Sequence, residues 1–157
     1  MAWLADVEFK KSRTHGMGVF ARRAIRAGER VWQYDDSMYV CDSRTLGKLG
    51  PRQLRFARLG GYLHIPTDRF LWYRDGMQFM NHSLDANVGL DGWPPRLEDD
   101  HTMAMRDIDA GEELCEDYTF CLDGGLAVDH WMRPLYLAYC PEHYAFLLGL
   151  REFAVAA

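Results

Sequence analysis

Ile108-Asp109-Ala110-Gly111-Glu112-Glu113-Leu114-Cys115-Glu116-Asp117-Tyr118 is the stretch on which the reading of this chain turns. Alone, it describes a turn at Ala110-Gly111 between two strands with an acidic surface, a pattern open to any β-rich protein. Its weight comes from what stands upstream. Gln78-Phe79-Met80-Asn81-His82-Ser83-Leu84-Asp85-Ala86-Asn87-Val88 precedes it, and Lys11-Ser12-Arg13-Thr14-His15-Gly16-Met17-Gly18-Val19-Phe20-Ala21 comes earlier still, followed by Ile25-Arg26-Ala27-Gly28-Glu29.

Each upstream segment has competing readings. Gly16 to Ala21 satisfies GxGxxA, the dinucleotide fingerprint, with Asp35 or Asp36 available as the ribose-binding acid. That fingerprint needs a helix opening at its third small residue, yet only Arg22 to Ala27 separate it from Gly28, and Glu29 to Tyr34 reads as a strand. A nucleotide-binding Rossmann oxidoreductase is therefore the weaker alternative. A plain turn between strands, or a backbone that approaches a ligand where no Cβ intervenes, fits the glycines as well. Asn81-His82-Ser83 is formally a glycosylation acceptor, but Met1 to Lys10 carries Asp6 and Glu8 where a signal peptide needs a basic start and an apolar run. Asn81 and His82 could also simply satisfy buried backbone groups.

At 157 residues, 48% hydrophobic and 26% charged, the chain suits a single domain with one core. A formal net charge of -5 excludes the broad basic face that phosphate backbones demand, so a cationic partner is expected and direct nucleic-acid binding is not. Cys41, Cys115, Cys121 and Cys140 form no CxxC pair and match no common zinc spacing. No run approaches the roughly 20 apolar residues of a membrane span, which makes the cytoplasm the default expectation.

Strand-like runs fall at Val7 to Phe9, Val19 to Ala21, Val31 to Val40, Phe70 to Tyr73, Ala86 to Leu90 and Thr102 to Met105. Thr45 to Leu59 shifts to helical turns broken near Gly50-Pro51, as an inserted subregion would. From Asp129 to Phe153 the chain is rich in Leu, Tyr and Ala, and Pro141 sits at a first helical position, so two consecutive helices are expected. Tyr144, Leu147 and Leu148 share a face that packs on the core or, in the second reading, forms a dimer contact.

In order, the three segments resemble the motifs of the SET-domain family of protein-lysine methyltransferases: Gly-x-Gly with an apolar pair and Ala, then Arg-Phe-x-Asn-His-Ser-Cys-x-Pro-Asn, then Ile-x-x-Gly-Glu-Glu-Leu-x-x-Asp-Tyr. Gln78 replaces Arg, Leu84 replaces Cys, Ala86 replaces Pro, and Glu116 stands where the family usually has Phe or Tyr. The resemblance implies a mainly β α+β fold, the SET β-clip, as one domain over 1–157. It implies an insert near 43–69, a C-terminal segment threaded beneath an earlier loop, and a helical tail near 129–157 covering the site.

The resemblance further implies S-adenosylmethionine as cofactor, contacted by His15, Gly16, Met17, Gly18, Asn81, His82 and Tyr118. Tyr118 is then the catalytic residue, and Tyr34, Glu116 and Phe120 are the candidates for the lysine channel. Tyr34 could equally be a core aromatic, as could Trp72, Tyr73 and Trp131, which are further candidates for channel walls or an adenine cover. With Leu84 in place of the cysteine and no CxC tail, no zinc or other metal is expected. Glu116 either faces the channel or turns to solvent while Phe120 takes the aromatic place. The expected partner is a lysine-containing, basic protein or peptide. The competing class is a SET-fold module that binds peptide or cofactor without turnover.

Overall fold

Short segments separated by glycines and acidic turns cannot build one broad sheet, and they assemble instead into three small ones. The computed structural model describes residues 2–46, 48–50, 52–53, 60–92 and 94–117. In the first sheet, β1 (Val7–Lys11) and β2 (Met17–Ala21) form a hairpin in which Val7 faces Ala21 and Lys11 faces Met17. Gly16 turns that hairpin at φ +50°, and the Ser12 N–H closes it on the Gly16 carbonyl at 2.9 Å. The left-handed backbone there is why a glycine stands at this position.

The second sheet joins β3 (Arg30–Gln33), β9 (His101–Ala104) and β8 (Val88–Gly89), and the third joins β4 (Tyr39–Cys41), β6 (Arg69–Trp72) and β5 (Gly61–His64). The remaining pieces belong to the first sheet, whose order is β1-β2-β10-β7. β10 (Glu113–Glu116) runs antiparallel to β2 and parallel to β7 (Asn81–His82). Val19, Ala21, Ile25, Val31, Trp32, Val88, Ala104, Ile108 and Leu114 meet in one core between the sheets, each 2% exposed or less. β10 is thereby fixed on two edges and through Leu114, which holds its flanking carboxylates in place.

The strands expected near 7–9, 19–21, 70–73 and 102–105 form with boundaries shifted by up to two residues at either end. Val31 to Val40, read as one strand, is two. Asp35 breaks it: its carboxylate accepts the Ser37 N–H and hydroxyl, and its carbonyl accepts the Met38 N–H at 3.1 Å. A side chain that mimics a turn competes with the strand ladder. The 43–69 region holds a helical turn, α1 (Ser43–Leu46), but also the whole of β5, which the helical reading did not anticipate.

The dinucleotide reading is corrected by topology. No helix opens after Ala21; Ile25 bridges to Ile108, β3 follows at Arg30, and β2 is antiparallel to both its neighbours. A Rossmann crossover needs a parallel strand and an intervening helix. The expected tail helices, the threaded segment, Tyr118, Phe120 and Trp131 lie outside the described residues. Among the described residues, no helix is long and apolar enough to cross a membrane.

Candidate functional site

Parallel pairing of β10 with β7 sets Cys115 opposite Asn81 and Glu116 opposite His82. Two separated motifs thus lie side by side, and the third joins them through side chains. The Asn81 amide Nδ2 donates to the His15 carbonyl at 3.0 Å, to the Met17 carbonyl at 3.1 Å and to Glu113 Oε1 at 2.7 Å. Glu113 Oε2 accepts from the Ser12 hydroxyl at 2.8 Å, and Ser12 Oγ in turn accepts the Thr14 N–H at 2.8 Å. With Ser12 only 8% exposed, this chain of bonds locks the glycine turn to both later segments.

The two glycines of the turn do different things. Beside Gly16 no atom lies within 4 Å of where a Cβ would sit, so the backbone there is open. A Cβ on Gly18 would lie 2.3 Å from Glu113 Oε1. The vacancy at Gly18 is filled by a carboxylate of the chain itself, so only Gly16 has the open approach that the ligand reading asked of both.

A second pin lies beneath. Asn87, 3% exposed, donates Nδ2 to Glu112 Oε1 at 2.9 Å and to the Glu113 carbonyl at 2.8 Å, and its Oδ1 accepts the Cys115 N–H at 2.9 Å. Glu112 also takes Arg106 Nη2 at 2.7 Å. Burial works to raise the Glu112 pKa, but the Arg106, Asp109 and Asn87 hydrogen bonds prevail and lower it. His82 lies beside the strand end, its Nδ1 3.8 Å from Asp117 Oδ1, while the Ser83 N–H donates to the Glu116 carbonyl at 3.0 Å.

Toward the second sheet, Glu116 meets an acidic and aromatic neighbourhood. The Thr102 hydroxyl donates to Glu116 Oε1 at 3.0 Å, and the Tyr62 hydroxyl donates to Asp100 Oδ2. Asp100 is 2% exposed; burial and then the nearby Glu116 carboxylate push its pKa up to about 7, against the His101 N–H. Glu116 is also pushed up to about 7, by burial, with the Thr102 hydrogen bond opposing. Tyr62 stacks on Tyr73, centroids 5.3 Å apart, and Tyr73 meets the edge of Trp32 at 5.7 Å. Tyr34, half-buried, joins this wall by donating its N–H to the Asp100 carbonyl at 2.9 Å. Burial, then Asp36, Glu98 and Asp35, raise the Tyr34 phenol. Cys115 is raised to about 11 by burial and then by Glu113 and Glu112, which leaves its thiol protonated and unreactive near neutrality.

His15, Gly16, Met17, Gly18, Asn81 and His82 therefore converge around β10, and Tyr34 and Glu116 both border the Asp100 region. The sequence reading did not single out Ser12, Asn87, Glu113, Asp100, Tyr62 or Thr102. For Asn87 and Glu113 the available signal was their place inside the two recognised motifs. Tyr62 and Asp100 carried none.

This arrangement of small sheets around an interposed β10 defines the class. Residues 16–119 match the model of the SET domain, and the chain belongs to that family. Among its relatives is the Variant-silencing SET domain-containing protein of Plasmodium falciparum (isolate 3D7), 28% identical over 137 residues, 76% of this chain and 5% of that protein. The chain thus corresponds to a small part of that relative's length. Its fold is similar to that of the Neurospora SET domain protein DIM-5, a histone lysine methyltransferase, with a TM-score of 0.54 and 18% identity over 74% of this chain and 53% of the other.

Proposed function

We propose that this chain transfers methyl groups from S-adenosylmethionine to the side-chain amine of lysine in a protein substrate. The observation that carries the reading is the convergence of the glycine turn, Asn81 and β10 through Glu113, because methyl transfer needs a fixed line from cofactor to nucleophile. The Neurospora neighbour is by its title a histone lysine methyltransferase, which supports a protein lysine as the acceptor. A basic substrate suits the net charge of -5, and a cytoplasmic setting is part of the same proposal.

The residues fit the cofactor. Nδ2 of Asn81 is committed to the turn, which sets the amide plane and leaves Oδ1 on the opposite side as an acceptor for an ammonium group. The open backbone at Gly16, next to exposed His15 and Met17, gives an extended ligand room to lie. When bound, the cofactor supplies a methyl carbon made electrophilic by a positively charged sulfur.

The chain's own residues position the nitrogen and manage its proton. A free lysine titrates near roughly 10.4, and its ammonium has no lone pair. Aromatic walls from Tyr34 and Tyr73 disfavour the charged form, and the proton leaves with water. Tyr118, two residues beyond Glu116, is assigned by resemblance to orient the amine and to accept weak C–H···O contacts from the methyl group. Incubating the protein with radiolabelled S-adenosylmethionine and a lysine-rich protein extract tests the reading. Label on protein that disappears with Tyr118→Phe is expected; no label with either protein, despite cofactor binding in a thermal-shift assay, assigns the chain to the binding-module class.

A further inference from the structure

A groove of about 400 Å³ opens between the third sheet and the connection that leads into β9, beside the region described above. Tyr34 stands at one side, Val40 and Thr67 at another, and Pro95 to Glu98 close it. Leu97, 8% exposed, belongs to its apolar lining, and its carbonyl accepts the Asp100 N–H at 3.0 Å, so the wall of the groove continues directly to the buried carboxyl. Tyr34 belongs to both places, lining the groove while its N–H holds Asp100.

The charges around the groove do not cancel. Arg96 lines it but is held by Asp99, Nε to Oδ2 at 3.0 Å and Nη2 to Oδ1 at 3.3 Å. Arg69 lines it with Asp42 Oδ2 3.9 Å away. Each guanidinium therefore has its own carboxylate. Glu98 in the lining, together with Asp36 and Asp35 beyond Tyr34, adds negative charge without a matching cation, and all three act on the Tyr34 phenol. Apolar walls of Val40, Pro95 and Leu97 beneath an acidic rim suit a side chain with a long aliphatic stem and a cationic tip.

We infer that this groove receives a basic side chain, arginine or lysine, of the substrate peptide at a position flanking the methylated lysine, with Glu98 and Asp36 facing its charge. The inference rests on the methyl-transfer reading only for the word substrate; the preference for a basic side chain stands on the groove itself. Exposed carboxylates give modest contributions, so each is expected to alter peptide affinity by about two- to fivefold.

The test uses fluorescein-labelled nonapeptides with one central lysine among alanines, carrying a single arginine at each flanking position in turn, and matched peptides with glutamine instead. Fluorescence polarisation should show about fivefold tighter binding for arginine at one position, weakening as salt screens the contact. Glu98→Lys should abolish that preference, and Glu98→Gln should reduce it, with both variants melting as the parent does. Equal binding of arginine and glutamine peptides, no binding of either, or tighter binding of a glutamate peptide that Arg69→Gln removes would each overturn the assignment. If arginine peptides are preferred yet none is methylated, the methyl-transfer reading fails and the groove assignment stands.

Discussion

Asn81 Nδ2 and Glu113 Oε1 meet at 2.7 Å across the β7–β10 pairing, in the space that a side chain at Gly18 would occupy. Gly18→Ala must expel the Glu113 carboxylate, whose end lies 2.3 Å from the new Cβ. The displaced charge would lose both Asn81 and Ser12, an expected cost of about 1–3 kcal/mol. Glu113→Ala should cost a similar amount, but Gly18→Ala added to it should cost far less than on its own, since the clashing atoms are gone. A double-mutant cycle by urea unfolding measures the coupling, and additive losses would contradict it.

Asn87 bridges Glu112, the Glu113 carbonyl and the Cys115 N–H while almost wholly buried. Replacing it with Ala removes three hydrogen bonds and strands the buried Cys115 N–H, for an expected loss of about 2–4 kcal/mol. Asn87→Asp should also destabilise, because the two former Nδ2 acceptors would face an oxygen. Thermal melting of both variants checks this, and a melt within a degree of the parent would rule out the pinning role.

These two side chains also mark the limit of what the sequence made legible. The three motifs were readable because turns, Asn-His-Ser and the run to Tyr118 are contiguous, and their order named the family before any coordinates. Their mutual register was not, since β7 and β8 are two residues each and too short to carry periodicity. Glu112 and Glu113 read as acidic surface, whereas one pairs Asn87 and Arg106 and the other fills the space above Gly18. Tyr62 was passed over because Gly60-Gly61 before it signals a loop, yet Gly61 is where β5 comes so close to β6 that a Cβ would lie 2.0 Å from the Leu71 carbonyl. The turn at Asp35 did have a visible signal in Asp35-Asp36-Ser37, outweighed by the aromatic and β-branched residues around it.

Asp100 makes stability depend on pH in the direction opposite to an ion-paired carboxylate. Its folded pKa of about 7 lies above the ordinary value of 3.8, so the unfolded chain loses its proton first as pH rises. The contribution is fully present below the ordinary value, declines as pH climbs toward about 7, and is gone above that. Asp100→Asn keeps an oxygen for the Tyr62 hydroxyl and removes the buried charge. At about pH 8 the variant should be more stable by about 1–3 kcal/mol, while near pH 4 the two should melt alike. A variant less stable than the parent at both values would mean that the charge itself is needed.

Glu116 offers the sharpest test of where the lysine lies. Its carboxyl, pushed up to about 7 and held by Thr102, changes charge across the neutral range. If it faces the amine, its ionised form attracts a lysine ammonium and at the same time makes that proton harder to lose. Substrate KM should therefore fall as pH rises through about 7, with kcat rising less steeply than loss of the lysine proton alone would give. Glu116→Gln preserves an acceptor for the Thr102 hydroxyl but has no charge to change, so the KM dependence should flatten while the number of methyl groups added stays the same. Glu116→Phe replaces the carboxyl by bulk and should alter that number, read by mass spectrometry of the product. Unchanged KM profile in the first variant and unchanged rate and product in the second would place Glu116 off the channel, leaving Thr102 and Asp100 as its structural partners alone.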